Sequence, residues 1–408
     1  MLQPPRPNLA DARPGFREFV VLMAGLMSLN ALAIDSMVPA LPAIGAALGV
    51  ADANSRQLVV SLYVLGFGFT QILYGPLSDR FGRKPVLGVS LVLYVACALA
   101  CWAAPSFHLL LAARMAQGGA AASTRVLVVS IVRDRFEGPR MARIMSLAFL
   151  VFLLVPMLAP LFGQLTLMVA SWRAIFFGLA LGAAIMLAWS LVRLPETLHP
   201  EYRRPLDAKT IWNGAWQTLS NRQSLGYTFA FTLMMASLMG YINSIQQIVF
   251  DIFRQPQLIA ATFAGVALPM AFTSWLNSRI VERVGTRRVA HTGLALFTAS
   301  AIVHLAIVLT SGEGLWLFIF MQGLTMACFG LASANFGALA MQPLGHVAGT
   351  ASSVQGTIGT VGGALLGLLV GQSFDGSLVP MVGAFAAFGT IALLILLATE
   401  RGRLFGQG

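Results

Sequence analysis

Long apolar runs occupy most of this chain. A helix that spans a bilayer needs about 20 predominantly apolar residues, and runs of this length recur from one end of the sequence to the other. Only 10% of the 408 residues are charged, against about 25% in soluble domains. We therefore predict an all-α membrane protein with twelve spanning helices, at residues 17–41, 56–76, 84–104, 106–129, 142–165, 172–192, 224–249, 257–277, 289–310, 315–337, 349–372 and 378–397.

The basic residues predict how these helices are oriented. Lys and Arg are retained in cytoplasmic loops, and with the N-terminus inside, 21 of the 26 lie in cytoplasmic segments. The outer loops then hold only Arg56, Arg173 and Arg254. Both termini are therefore expected in the cytoplasm. Orientation and attraction to anionic lipid account for the net charge of +11, so we expect membrane lipid and not nucleic acid as a partner.

The helices divide into two sets of six. The longest charged interruption begins at Leu194, and a charged turn recurs on either side of it, at Asp79–Lys84 and at Glu282–Arg287, with an offset of 203 residues. Such a repeat predicts two pseudo-symmetric bundles related by an axis along the membrane normal. The expected organisation is a cytoplasmic tail at 1–16, bundles at 17–193 and 224–397, a linker with an interfacial amphipathic helix at 194–223, and a cytoplasmic tail at 398–408.

The turn after the second apolar run has a characteristic sequence. Residues 75–84 read Gly-Pro-Leu-Ser-Asp-Arg-Phe-Gly-Arg-Lys and resemble the signature loop of the major facilitator superfamily. Gly82 permits a tight turn, and the charges beside it can form ion pairs, with Asp134 and Glu137 as candidate partners. The resemblance implies that this loop stabilises the outward-facing state. We assign that role to Gly75, Asp79, Arg80, Gly82, Arg83 and Asp134.

Two more segments resemble motifs of this superfamily. Arg114–Gly118 in the fourth run is similar to the intramembrane arginine motif, which is linked to proton coupling and substrate binding. In the fifth run, Ala-Pro-Leu-Phe-Gly at 159–163 resembles the antiporter motif that marks exporters, and we assign Pro156, Pro160 and Gly163 to it. Two glycines of that motif are replaced here, by Ala159 and Gln164.

The first apolar run narrows the resemblance. Residues 29–42, Leu-Asn-Ala-Leu-Ala-Ile-Asp-Ser-Met-Val-Pro-Ala-Leu-Pro, are similar to the first helix of the bicyclomycin and chloramphenicol–florfenicol resistance transporters, a group of drug:proton antiporters. The resemblance implies the twelve-helix fold of the superfamily in a bacterial inner membrane. It also implies that small amphipathic drugs are exported by proton antiport with rocker-switch alternating access.

Two charged residues lie inside predicted helices. An ionisable residue in a span is costly and is by default a functional candidate. Asp35 is the only acid clearly inside a run, and Arg114 lies at a similar depth from the outer side. We predict that Asp35 is the proton carrier and Arg114 its modulator. The alternative is a fixed ion pair between the two helices.

Polar residues inside other runs are candidates for substrate contact. The family architecture places the first, seventh and tenth helices around the central cavity, and Gln117 lies one turn beyond Arg114 on a similar face of the fourth run. The candidates that we assign to this substrate cavity are Asn30, Gln117, Tyr241, Asn243, Gln247 and Asn335.

Several classes of protein are disfavoured by the sequence. A P-loop needs a Gly-Lys pair, whereas the only two lysines follow Arg83 and Ala208, so we expect no ATP hydrolysis and no need for an ATPase subunit. The His and Cys residues lack ligand spacing, so no metal and no cofactor is expected, and the proton gradient would supply the energy. An intramembrane enzyme would need paired Asp, Glu, His or Ser side chains at matching depth. Asp35 is the only acid clearly inside a run, so we do not expect an enzyme. We expect a monomer that handles protons and a small-molecule substrate, with a proton-coupled importer or a narrow-specificity metabolite exporter as alternatives.

Overall fold

The protein is helical throughout the part that is described. The computed structural model describes residues 14–136, 144, 155, 158–198, 201 and 208–405, and fourteen α-helices fall within them. In chain order these are α1 (Phe16–Asp35), α2 (Leu41–Ala47), α3 (Leu58–Phe81), α4 (Arg83–Ala103), α5 (Phe107–Arg135), α6 (Leu158–Val169), α7 (Arg173–Arg193), α8 (Ala208–Ser220), α9 (Arg222–Gln247), α10 (Ile259–Val284), α11 (Thr286–Thr310), α12 (Leu315–Met341), α13 (Ala348–Gln372) and α14 (Val379–Thr399).

The spanning helices agree with the apolar runs. Within the described residues, eleven helical segments are long and apolar enough to cross a membrane, and each coincides with one predicted run. The fifth predicted run, 142–165, is described only in part, and its described portion belongs to the shorter apolar helix α6. Most of that run lies outside the described residues, as do the first thirteen residues of the predicted N-terminal tail.

The first spanning segment, Phe16–Ala47, is interrupted in its second half. Pro39 lacks an N–H, and its ring clashes with the carbonyl four residues earlier, that of Asp35, so the helix cannot continue. The N–H of Met37 bonds to the carbonyl of Ile34 at 3.4 Å instead of to Ala33, its regular helical partner. We call residues 36–40, between α1 and α2, the α1–α2 break. It leaves the carbonyl of Ala33 open to a donor from another helix.

Glycine allows α3 and α5 to cross in direct backbone contact. A Cβ atom on Gly118 would overlap the carbonyl oxygen of Tyr63, and one on Gly66 would overlap that of Met115. No other residue fits at either position without moving a helix. The crossing brings α3 against the buried face of α5 that carries Arg114.

In the second half, a stripe of glycines packs α13 against α9. Glycine recurs at every fourth position from Gly359 to Gly371. A Cβ atom on Gly363 would lie 2.7 Å from the side chain of Met235, and one on Gly367 would overlap that of Met239. Small residues at this spacing let helices approach closely, and here they draw the outer end of α13 towards that of α9.

The two halves are hydrogen-bonded to each other at the predicted outer end. Asn54, just before α3, donates from Nδ2 to the carbonyls of Gln372 (3.1 Å), the last residue of α13, and of Phe374 (3.0 Å) just beyond it. Its side-chain oxygen accepts from Gln247 of α9 at 2.7 Å, and its carbonyl accepts from Nε2 of Gln372 at 2.7 Å. One asparagine of the first half thus joins two helices of the second.

Two more residues of the first half continue this contact. Gln57 donates to the carbonyl of Gly371 at 3.0 Å and to the side-chain oxygen of Gln247. Ser61 of α3 donates to the side-chain oxygen of Asn243 at 3.1 Å. We call the side chains that make these bonds the outer seam: Asn54, Gln57, Ser61, Asn243, Gln247 and Gln372.

The linker between the halves contains the helix α8. Its Gly214 faces α13, since a Cβ atom there would lie 2.9 Å from the side chain of Thr350. Trp212 and Trp216 are both exposed. The helix therefore rests against the second half with its tryptophans outward, and its predicted location in the inner leaflet stays a prediction.

Candidate transport site

Arg114 is fully buried and binds neutral partners on three helices. Its Nε donates to the carbonyl of Val59 at 2.9 Å, its Nη2 to that of Ala33 at 3.1 Å, and its Nη1 to the side-chain oxygen of Gln117 at 2.9 Å. The guanidinium carbon lies 4.3 Å from the ring centroid of Tyr63, a cation–π contact. The fork-shaped donor set of arginine suits this arrangement, and it holds α1, α3 and α5 together.

The bond from Arg114 to Ala33 fixes the end of α1. It fills the acceptor left by the α1–α2 break, two residues before Asp35. No basic side chain of the described residues lies within 4.0 Å of the Asp35 carboxylate, so Arg114 and Asp35 do not form the ion pair considered as an alternative. The bond to Ala33 therefore links the arginine to the acid through the main chain.

Asp35 is buried at the α1–α2 break, and this break packs against α9 of the other half. Its Oδ1 and the hydroxyl of Ser36 have no hydrogen-bond partner among the described residues, and the same holds for the hydroxyl of Tyr241 on α9. Tyr241 lies within electrostatic range of Asp35. Burying an unpartnered polar group is costly. The three groups therefore form a site with unused capacity for a proton or for the polar groups of a ligand.

The antiporter-like segment packs against this same break. Gly163 of α6 is buried, and a Cβ atom there would overlap the carbonyl oxygen of Ser36 and lie 2.9 Å from the ring of Pro39. Pro160 is buried one turn earlier. Pro156 lies outside the described residues. The described part of the motif thus contacts the backbone that carries Asp35, although the sequence assigned the two to separate motifs.

The predicted substrate-cavity residues fall into two groups, of which the first comprises Gln117, Tyr241 and Asn30. Gln117 accepts from Arg114, and Tyr241 lies within electrostatic range of Asp35. Asn30 is half-buried in α1, and its side-chain oxygen has no partner among the described residues. Their part in substrate binding stays a prediction.

The remaining cavity candidates are engaged elsewhere in this conformation. Asn243 and Gln247 belong to the outer seam. Asn335 of α12 donates to the side-chain oxygen of Asn277 on α10 at 2.8 Å, within the second half. Sequence alone could not separate these roles, because each depends on which helix lies opposite.

The charged turn after α3 forms a compact ion-pair cluster. Arg83 is buried and contacts Asp79 at 2.6 Å, Asp134 at 2.9 Å and the hydroxyl of Ser78 at 2.5 Å. The pairing with Asp134 agrees with the predicted partner, whereas Glu137 lies outside the described residues. The cluster joins the inner ends of α3, α4 and α5. Its role in stabilising the outward-facing state stays a prediction.

The other residues assigned to this turn have distinct environments. A Cβ atom on Gly75 would lie 3.9 Å from the hydroxyl oxygen of Ser353 on α13, so this glycine faces the second half. Arg80 lies over the ring of Phe81, 5.2 Å from its centroid.

Glu196 is a member of this cluster that sequence reasoning missed. Its two carboxylate oxygens accept from the backbone N–H groups of Arg83 (3.0 Å) and Lys84 (3.1 Å), at the start of α4. Gly82, with φ of 100°, makes the turn that exposes these N–H groups. The acid of the Pro-Glu-Thr segment after the sixth run was the available signal.

Two helical halves joined at their outer ends, with an unpaired buried acid between them, define the class of the protein as a membrane transporter. The chain belongs to the Major Facilitator Superfamily, whose family model matches residues 23–367. It is a multi-pass protein of the bacterial inner membrane.

Similar bacterial proteins cover almost the whole chain. The bicyclomycin resistance protein homolog of Haemophilus influenzae is 27% identical over 92% of this chain and 94% of its own length. The multidrug resistance protein MdtL of Escherichia coli is 28% identical over 94% of this chain and 96% of its own. The resemblance to the bicyclomycin resistance group is thereby confirmed.

A solved structure shows the same fold. The human organic anion transporter MFSD10 (TETRAN) superposes with a TM-score of 0.66, covering 96% of this chain and 100% of that one, at 19% sequence identity. This likeness confirms the predicted fold class and carries no information on substrate.

Proposed function

We propose that this transporter exports small amphipathic compounds in exchange for protons, with Asp35 as the proton carrier and Arg114 as its modulator. The observation that supports this most directly is the environment of Asp35. The acid is buried between the halves at the α1–α2 break, without an ion pair and with one oxygen unpartnered among the described residues. A group that carries protons must gain and lose them without dismantling its surroundings, and this carboxylate holds no structural partner that protonation would remove.

The two ends of the molecule suggest how exchange proceeds. In the present conformation the outer seam joins the halves, so access to Asp35 from the outer side requires those hydrogen bonds to break. A proton would bind Asp35 when the outer side is open and leave to the cytoplasm when it is closed. Each proton that moves inward supplies about 2.3 kcal/mol per 100 mV of membrane potential, which can drive a substrate outward against its gradient.

The substrate class rests on the relatives and on the character of the site. One relative is named for bicyclomycin resistance and another for multidrug resistance. Tyr241, within electrostatic range of Asp35, Gln117, bonded to Arg114, and Asn30 on α1 provide a small number of polar groups in otherwise apolar helices. Pockets of this composition accept compounds that are mostly apolar and carry a few polar atoms.

Proton antiport can be tested in inverted membrane vesicles with an acidic interior. Chloramphenicol, florfenicol, bicyclomycin and a sulfonamide are added in turn while the pH gradient is followed by a fluorescent dye. We expect at least one compound to collapse part of the gradient with the wild type and none to do so with Asp35→Asn.

Asp52→Asn is the matched control. Asp52 lies in the outer loop before α3, where hydrogen bonds from Ser55 and Asn54 lower the pKa of its carboxyl group. It is therefore ionised throughout the assay, and its replacement removes the same charge without touching the buried site. Gradient collapse that persists in Asp35→Asn would place the proton site elsewhere.

A proton-coupled importer or a narrow-specificity metabolite exporter is the second candidate. The departures from the antiporter motif favour it. One of them is Gln164, which stands where the motif has a glycine and donates a hydrogen bond to the carbonyl of Gln257. Correctly inserted wild-type protein that responds to no compound of the panel would favour this candidate over drug export.

A further inference from the structure

The two halves contain the same backbone turn at their inner ends. The first turn, residues 79–84, has Gly82 with φ of 100° and ψ of 156°, and α4 begins directly after it. The second turn, residues 282–287, has Gly285 with φ of 95° and ψ of 140°, and α11 begins directly after it. The glycines are 203 residues apart. Both turns therefore present the N-terminal N–H groups of a helix in the same way.

In the first turn a negative group occupies this position. The carboxylate of Glu196 accepts from the first two N–H groups of α4, and a Cβ atom on Gly82 would lie only 2.5 Å from one of its oxygens. Helix N-termini favour anions, because several N–H groups and the positive end of the helix dipole converge there. The first half thus shows which kind of ligand this turn accepts.

The second turn opens on a cavity instead. No heavy atom of the described residues beyond its chain neighbours lies within 4 Å of the place where a Cβ atom on Gly285 would be, and no side chain caps α11. A cavity of ≈ 640 Å³ adjoins the turn. Its charged lining consists of Glu282, Arg283, Arg287 and Arg288.

The charges of this cavity favour an anion. Three arginines stand against one glutamate in its lining. Arg287 is the most engaged of them, since it lies 3.6 Å from Glu400 and donates to Gln223 at 3.3 Å. Even so, its Nε has no hydrogen-bond partner among the described residues. Arg283 and Arg288 are exposed and free of ion pairs within the described part.

We propose that the second turn binds a phosphate group, held by the N–H groups at the start of α11 and by Arg283 and Arg288. The position equivalent to the Glu196 carboxylate would then be taken by oxygens of an external anion. Phosphate suits this donor set because its several oxygens can accept from amides and guanidinium groups together. The turn lies at the predicted inner end, where anionic lipid headgroups are concentrated, so a lipid phosphodiester is the source that we expect.

Lipid binding to the purified full-length transporter provides the test. Native mass spectrometry is used to titrate dioleoylphosphatidylglycerol against the wild type, the double variant Arg283→Gln/Arg288→Gln and the control Arg403→Gln. Arg403 is also exposed at the inner end of the second half but is not part of the cavity. We expect the double variant to weaken the tightest lipid-binding event by about tenfold or more, since it removes two cationic donors that would make charge-assisted hydrogen bonds to the phosphate. Arg403→Gln should bind lipid like the wild type.

A second pair of variants tests the backbone donors. Thr286→Pro removes the first N–H of α11 at a position where proline is compatible with a helix, and Thr286→Ala keeps that N–H. We expect weaker lipid binding in Thr286→Pro only. Equal affinities in the wild type and in both Arg283→Gln/Arg288→Gln and Thr286→Pro would overturn the proposal.

Competition identifies the source of the phosphate group. Inorganic phosphate that displaces the lipid from the wild type at low millimolar concentration, but has no such effect in the double variant, would support a site for free phosphate. Phosphatidylglycerol that stays bound to the wild type at the same phosphate concentrations would support a lipid site.

Discussion

At the scale of single residues, the two charges within the membrane have opposite environments. Arg114 uses its donors on two backbone carbonyls and one amide, so its charge is solvated by the protein. Asp35 has an oxygen without a partner in the described structure. Arg114 thus holds three helices together, whereas Asp35 has an oxygen that is free to bind a proton or a ligand.

Replacing Arg114 by Lys should therefore damage the protein more than replacing Asp35 by Asn. A lysine keeps the charge but cannot reach Val59, Ala33 and Gln117 together, and the loss of one or two charge-assisted bonds costs about 2–4 kcal/mol. We expect a clear fall in the thermal unfolding temperature of Arg114→Lys in detergent. Arg403→Lys, at an exposed site, should unfold like the wild type.

In the same measurement, Asp35→Asn should unfold at or above the wild-type temperature, because no ion pair is lost and a buried acid is replaced by a neutral side chain. A marked loss of stability in Asp35→Asn would show that the carboxylate has a structural partner.

The sequence indicated both of these residues but not their partners. An Asp and an Arg inside apolar runs are conspicuous, since charges there are costly. The bond from Arg114 to Ala33 could not be predicted from the sequence, because that carbonyl becomes available only where the helix is interrupted. The proline pattern of residues 38–42 could have suggested the interruption, but not which arginine would fill the acceptor.

At the scale of helices, close packing at glycine determines where the chain can bend. The α1–α2 break is held on one side by Arg114 and on the other by the backbone of α6 at Gly163. The antiporter-like segment and Asp35 are therefore mechanically connected, although they lie more than a hundred residues apart in the sequence.

An alanine at position 163 should disturb this connection. Its Cβ atom would overlap the carbonyl oxygen of Ser36, a backbone atom that cannot rotate away, and overpacking of this kind costs about 1–3 kcal/mol. We expect Gly163→Ala to lower both the unfolding temperature and the rate of proton-coupled transport in reconstituted vesicles.

Gly182→Ala on α7 is the matched control, because its Cβ atom would meet Leu29 at an ordinary contact distance of 4.0 Å. Equal transport and stability in the two alanine variants would show that α6 can move away from the break without consequence.

At the scale of the whole molecule, the two halves meet through uncharged side chains at the outer end. The apolar runs and the repeated turn predicted the helices and their duplication. They did not predict that Asn243 and Gln247 would belong to the outer seam, because a helical position says which face a residue occupies but not which helix lies opposite. The close approach of α13 to α9 along the glycine stripe is what brings these amides together with Gln57 and Ser61.

Linking the halves across this seam should stop transport. In a background without the three native cysteines, the variants Ser61→Cys and Asn243→Cys are combined, because their side chains are in contact at 3.1 Å. A short thiol-specific cross-linker should join the cysteines and abolish transport, and a reducing agent that cleaves the linker should restore it. Transport that continues after complete cross-linking would show that the outer ends do not need to separate.

The composition of the outer seam also bears on how the protein responds to its surroundings. Its six side chains are amides and one hydroxyl, none of which changes charge between pH 4 and pH 9. The two acids beside it, Asp52 and Asp375, have pKa values lowered by their own serine neighbours and stay ionised under mild acidity. The hydrogen bonds of the outer seam are therefore insensitive to sudden acidification or to salinity outside the cell. With Asp35 as the proposed proton carrier, the residue that binds protons and the side chains that close the outer end are separate, so each can change in evolution without altering the other.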